Sequence, residues 1–387
     1  MESEAVSIKT ANPRSVYVHV PFCLQRCGYC DFSILAGRDD LIPRYLESLD
    51  LEISRSLEHL IQPPVLDTLF VGGGTPTLLS RSELEKLFSI LFKHFRLEPD
   101  AEFSVEANPD GLTDERQQVL AQFGVNRISL GVQSFDAEVL KRLDRKHTPE
   151  NVIEIFEQLS KMIPNISLDL IYGVPGQSFE SWQETLHQAI ALDPAHISMY
   201  ALTFEKGTAF WTQRSKGQLI QVEDSLEVRM YQWAIEQLKS RGYSQYEISN
   251  FSKPSMESRH NCAYWLGQSY WAYGPGASRF VDGVRSTNHR SSFTWMKRIE
   301  AGDSPVDIFD ELNTEQRARE LIAIGLRYLP GVEKSRIEEQ TGHRIEILLG
   351  KELVNLKERG WIEETKLCIR LTSEGKLFAD AVACEVI

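Results

Sequence analysis

Cys23, Cys27 and Cys30 stand in the segment CLQRCGYC, a C-x3-C-x2-C spacing that gathers three thiols on one short loop. Thiolates this close can converge on one metal centre without help from distant chain. A structural zinc site takes four protein ligands, and His19, on the run before the loop, is the nearest candidate for a fourth. A redox-active dithiol is a second reading of the same residues. A 4Fe-4S cluster is the third and best suited, because three thiolates leave one iron open to an exogenous ligand. Cys262, Cys368 and Cys384 carry no metal spacing and read as small apolar residues.

The loop must be held by something regular. Short apolar or β-branched runs recur at Ser15–Val20 and at residues 68–71, 102–106, 127–131, 166–171 and 196–202. Between them, residues 45–60, 80–95, 114–123, 150–162 and 179–192 place apolar side chains three and four apart, as helices do. This alternation predicts βαβ units and a parallel sheet with right-handed crossovers. Six such strands form either an open doubly wound sheet or a partial barrel. The unusual residues fall where the strands end: PFCLQRCGYCDF after the first, GGGTPT after the second, then Glu106-Ala107-Asn108-Pro109, Gly131-Val132-Gln133-Ser134 and Tyr172-Gly173-Val174-Pro175-Gly176. Loops at the carboxyl ends of parallel strands build the active site in both architectures, so the pattern predicts one site assembled from five or six loops.

Beyond Gly242 the rhythm gives way to an aromatic, Gly-rich stretch, HNCAYWLGQSYWAYGPGASRF. From Thr314 the chain turns helical, then shows helices over residues 332–341 and 345–360 and a β-ribbon around 361–372, the order of a small winged-helix-like domain. The expected division is residues 1–240, 241–300 and 301–387. A length of 387 residues fits two or three domains, or one barrel with an appendage. The balance of 42 Lys+Arg against 55 Asp+Glu, net −13, argues against nucleic acid as a partner. No run reaches about 18 apolar residues and residues 1–15 have no apolar signal core, so a cytoplasmic protein without a membrane span is expected.

A C-x3-C-x2-C loop after the first strand resembles the radical S-adenosylmethionine (SAM) superfamily. The resemblance implies an α/β fold, a partial (β/α)6 barrel with a small, mainly helical, winged-helix-like C-terminal domain. It also implies that Cys23, Cys27 and Cys30 hold a 4Fe-4S cluster whose open iron is chelated by SAM, with an external low-potential electron donor. Gly72-Gly73-Gly74-Thr75-Pro76 falls where the superfamily holds the SAM ammonium on exposed backbone, and glycine permits such an approach because it lacks Cβ.

Over almost the whole chain YVHVPFC, CDF, VGGGTPT, EANP, SLGVQSF, the R-K-H of residues 145–147, DLIYGVPGQS and YEISNF resemble oxygen-independent coproporphyrinogen III oxidase and its relatives. By that pattern Tyr17, Gly73, Glu106, Gln133, Arg145 and Asp169 match positions lining the cluster-bound SAM, with Arg145 suited to its carboxylate. Tyr29, Gly74, Thr75 and Ala201 match positions contacting a second SAM in the oxidase. Two departures stand out: the oxidase carries a further Cys where this chain has Phe32, and a longer arm than the fourteen residues that precede the first strand here. Both match the radical SAM heme chaperones, the HemW group, as does His260-Asn261-Cys262-Ala263-Tyr264-Trp265, which fits that group's H-N-x-x-Y-W. The resemblance implies heme as a ligand, with His260 as its axial ligand, and an acceptor hemoprotein as partner. Taken alone, His260 reads as a capping or surface histidine. Relatives often carry a His after Gly-x-Gly-Ala, where this chain has Ser278. The other function open to the sequence is the oxidase reaction itself, decarboxylation of two propionates of coproporphyrinogen III.

Overall fold

The computed structural model describes residues 12–387, so most of the leading segment read above for a signal sequence lies outside the described residues. Six parallel strands follow one another in space in chain order: β1 (Ser15–Val20), β2 (Val65–Gly73), β3 (Arg96–Ala107), β4 (Arg127–Gln133), β5 (Asn165–Tyr172) and β6 (His196–Ala201). A doubly wound sheet reverses its order at a switch point; this one does not, and the strands form the staves of a partial barrel. Helices α1 (Ile42–Ser56), α2 (Arg81–His94), α3 (Asp114–Gln122), α4 (Ala137–Arg142), α5 (Pro149–Leu159) and α6 (Phe179–Ala191) fill the crossovers. Their starts are written locally. Ser80 and Glu83 form a capping box on α2, and Thr148, Asn151 and Pro149 do the same work at α5.

The period of two along each strand separates two environments. Val16, Val18, Leu69, Val71, Phe103, Val105, Ile128, Leu130, Ile166 and Leu168 point outward and are buried with Leu49, Phe88, Val119 and Trp182 of the helices. The alternate residues point inward and are polar: Ser104 and Glu106 on β3, Arg127, Ser129 and Gln133 on β4, Ser167 and Asp169 on β5. The register sets Ser104 beside Arg127 and Gly131 beside Asp169, with a slip after Gly131 where Gln133 takes a left-handed φ of 66°.

The sheet has nine strands rather than six. Trp271–Tyr273 (β9) runs parallel to β1, while Asn250–Ser252 (β8) and Ser244–Gln245 (β7) continue antiparallel beyond β6. The aromatic stretch therefore supplies an edge stave. It is locked down by Glu52 of α1, whose buried carboxylate accepts from the Gly274 backbone N–H at 2.9 Å, Asn288 Nδ2 at 2.7 Å and Trp295 Nε1 at 3.2 Å. After it, strands Ser278–Val281, Val284–Asn288 and Val306–Glu311 make an antiparallel sheet, so residues 301–311 pair back onto the extension. The tail then forms its own core from Ala318, Ile322, Ile337, Ile345, Leu353, Ile369 and Val382. Its four helices and a three-stranded sheet, order Val332–Glu333, Cys368–Leu371, Ile362–Glu364, have the winged-helix arrangement.

Burial pushes the Glu52 carboxyl up to about 7, against the three donors that favour its charge. The folded chain thus binds this proton more tightly than the unfolded chain, whose value is 4.5. Stability from this group is complete below the unfolded value and is lost as pH rises toward 7. The stability of the wild type minus that of Glu52→Gln, which does not titrate, should therefore fall between about pH 5 and about pH 8, measured by urea unfolding at each pH. A flat difference would contradict the linkage.

Candidate functional site

The inner face of the barrel opens into a cavity of about 1300 Å³. Cys23, Cys27 and Cys30 line it, together with Tyr29, Gly73, Gly74, Thr75, Glu106, Gln133, Arg145, Asp169 and Ala201, so twelve residues singled out from sequence meet on one wall. Tyr17 and His260 are not on that wall. Tyr17 lies behind Phe70, ring centroids 6.0 Å apart, and donates to His19 Nδ1 at 3.0 Å.

A chain of polar contacts joins two of the cysteines. The Cys23 thiol lies 3.7 Å from Thr75 Oγ1, Asn108 Nδ2 donates to Thr75 Oγ1 at 2.8 Å, and Arg145 Nη2 donates to Asn108 Oδ1 at 2.6 Å and to the Gly131 carbonyl at 2.8 Å. The other arm of Arg145 points at Cys27 Sγ, 3.9 Å away. The loop is also pinned from below: the Gly28 N–H donates to Asp144 Oδ2 at 2.8 Å, and Arg26 reaches the carbonyls of Cys30, Phe32 and Ile34. Gly74 is needed here, because a Cβ would sit 2.6 Å from the Phe22 carbonyl oxygen.

The zinc reading loses its candidate fourth ligand in this geometry. His19 has both ring nitrogens occupied, Nε2–H donating to the Ser33 carbonyl at 2.8 Å and Nδ1 accepting from Tyr17, and burial pulls it down to about 4. Among the described residues no three His, Cys, Asp or Glu side chains converge as a single ion requires. The three thiols line one cavity, and a polynuclear cluster would take each thiolate on a different iron. Burial pushes Cys23 up to about 11 and raises Cys30 as well, so the thiolate forms await a metal's charge.

Beneath the loop lies an acidic floor. Glu106 accepts from the Gly73 N–H at 2.8 Å, and Asp169 accepts from Ser129 Oγ at 2.7 Å and Ser167 Oγ at 2.9 Å. Burial raises both, Glu106 to about 7, and the Arg127 charge opposes the rise in each. Arg127 is 2% exposed, and Nε has no hydrogen-bond partner among the described residues. Neither Arg127 nor Asn108 was singled out as a site residue from sequence. The signal was present for Arg127, since it shares strand parity with Ser129 and Gln133.

His260 lies apart from the residues that line the cavity. It is 1% exposed and opens the helix Arg259–Trp265, packed on the floor of the barrel. One ring nitrogen meets Thr68 Oγ1 at 2.7 Å, the other Tyr264 OH at 2.7 Å, and the ring stacks on Phe70 with centroids 5.2 Å apart. Both ring nitrogens are therefore hydrogen-bonded in this structure. Asn261, its neighbour in the motif, does reach the cavity. Cys262 is pushed up to about 12 by burial and nearby carboxylates, which makes it an unreactive thiol.

The model of the radical SAM superfamily matches residues 17–189, and that of the HemN C-terminal domain matches residues 312–378. The heme chaperone HemW of Bacillus subtilis is 36% identical over 371 residues, covering 95% of this chain and 98% of that protein. HemW of Escherichia coli is 33% identical over 389 residues, 96% and 97% of the two chains. The solved structure of coproporphyrinogen III oxidase (HemN) from Escherichia coli, described as a radical SAM enzyme, superposes with a TM-score of 0.85 over 97% of this chain and 90% of that one. At 22% identity, that last likeness is one of fold.

Proposed function

Because the chain belongs to the radical SAM superfamily and, within it, to the HemW heme-chaperone family, we propose that it is a cytoplasmic heme carrier that holds a 4Fe-4S cluster and SAM and delivers heme to an apo-hemoprotein. The observation that carries this reading is the single cavity that holds the three-thiol loop at one wall and extends well past it to the tail. The occupant of the position after Cys30-Asp31 agrees: Phe32, 54% exposed on the same cavity, stands where the oxidase has a cysteine.

Cys23, Cys27 and Cys30 would hold the cluster, which when bound supplies one low-potential electron to a sulfonium. Arg145, fixed by Asn108 and the Gly131 carbonyl, offers a guanidinium to the SAM carboxylate. Gly73 takes φ 110° and a Cβ there would strike the His19 ring at 2.5 Å, so only glycine leaves its backbone open to the ammonium. Glu106, Asp169 and Gln133 face the ribose side, with Tyr17 held behind Phe70. Tyr29, Gly74, Thr75 and Ala201 complete the same wall. No described helix is long and apolar enough to cross a membrane.

Arg127 is the cation that opposes protonation of Glu106 and Asp169. Arg127→Gln should therefore weaken SAM binding about tenfold at neutral pH, with the loss recovering as pH rises and the two acids ionise. Anaerobic equilibrium dialysis across pH checks this; a loss independent of pH would mean that Arg127 acts through packing alone.

Product analysis tests the proposal against oxidase chemistry. Cluster-loaded protein incubated anaerobically with coproporphyrinogen III, SAM and dithionite should return the substrate unchanged. Protoporphyrinogen IX formed over many turnovers would replace the carrier reading with the oxidase one.

A further inference from the structure

The cavity does not end at the residues assigned to cluster and SAM. Its far end runs between β6 and the tail, where Tyr200, Val228, Ile248, Leu377 and Phe378 form the wall. Tyr200, Val228 and Phe378 keep 44%, 36% and 39% of their surface open, a concentration of uncovered large side chains facing one space. Two cations stand on the same wall, Lys376 and Arg327.

Among the described residues neither cation has a buried carboxylate within ion-pair distance. Lys376 is half-buried and donates to Gln245 Oε1 at 2.8 Å, with no carboxylate among its contacts. Burial and the neighbouring Lys239 lower it, which is the setting of an amine that lacks an anion. Arg327 lies over the Trp265 ring, 5.6 Å from its centroid, and its ion-pair partner is Asp380 at 2.7 Å, a carboxylate 92% exposed that water can take over at little cost. In a chain of net charge −13, an apolar chamber edged by two such cations is shaped for a flat, apolar ligand bearing two carboxylates.

We propose that this tail-side chamber is the heme site, with Lys376 and Arg327 each taking one propionate carboxylate. The inference rests on the heme-carrier reading and adds the location to it. It also accounts for a cavity of about 1300 Å³ that runs on from the three-thiol loop to the tail, and for a motif helix from which Asn261 reaches the space. The site separates heme from the three-thiol loop along the cavity, so both ligands are held at once.

The test uses full-length, cluster-loaded protein and two probes, hemin and its dimethyl ester, which has the same ring without carboxylates. Lys376→Glu should weaken hemin about tenfold or more and leave the ester unchanged, since only a charge contact has been reversed. Lys376→Gln, which keeps a hydrogen bond to Gln245, should give a smaller loss with the same contrast between probes. If hemin affinity is unaffected by Lys376→Glu, or if both probes lose equally, the proposed site is wrong while the carrier reading stands. If the wild type binds neither probe, the carrier reading itself falls.

Discussion

Cys27→Ala should abolish cluster loading: after anaerobic reconstitution with iron and sulfide, the variant should keep under one iron per chain, against about four in the wild type, and lose its charge-transfer absorbance. The reason lies in the count of ligands. Three thiols would serve three irons, and His19, the nearest further candidate, is bonded on both nitrogens. Removing Cys27 also strands the Arg145 arm that points at it from 3.9 Å, leaving a buried cation without its anion. SAM affinity should fall with the cluster, because the group these thiols would hold is the one SAM is proposed to bind. Cys262→Ala is the matching control. That thiol lies off the cavity wall, and its loss should leave iron content unchanged. Iron analysis of the two variants side by side separates a cluster ligand from a buried thiol; full loading of Cys27→Ala would remove the basis of the site.

His260→Ala should cost stability, about 3 to 5 kcal/mol, by leaving Thr68 and Tyr264 without partners and a hole beside Phe70. The pH dependence identifies the mechanism. Burial and Arg127 pull His260 down to about 3, far below its unfolded value of 6.5. Its neutral packing therefore stabilises fully above the unfolded value, and this contribution is lost as pH falls toward 3. The gap between wild type and His260→Ala should narrow on acidification, followed by urea unfolding. Hemin affinity of the folded variant should stay within about threefold of the wild type, because the imidazole is not offered to the cavity. A variant of unchanged stability with a displaced Soret band would instead make His260 the axial ligand.

The staves and the cysteine loop were legible because both are local. Apolar or β-branched runs of four to seven residues mark a strand, and Cys23, Cys27 and Cys30 lie within eight positions. Strand order was not local: only the tertiary pairing of β1 through β6 in sequence distinguishes a barrel from a doubly wound sheet. β9 escaped because three residues carry no measurable period, and its place beside β1 depends on Glu52, over two hundred positions away. The twelve cavity residues came from motifs at strand ends, which the fold converts into one wall. His260 shows the opposite case. Its motif is sharp in sequence, yet burial and two hydrogen bonds decide what its nitrogens can do, and these come from Thr68 on a distant strand and Tyr264 one turn on.

The claim at the centre is that this chain carries heme and hands it on. Anaerobic titration of cluster-loaded protein with hemin, followed by addition of an apo-hemoprotein that restores a distinct spectrum when filled, tests it directly. The account predicts saturable uptake at one heme per chain, then transfer to the acceptor faster than from free hemin. No saturable uptake, or heme retained in the presence of excess acceptor, would contradict it.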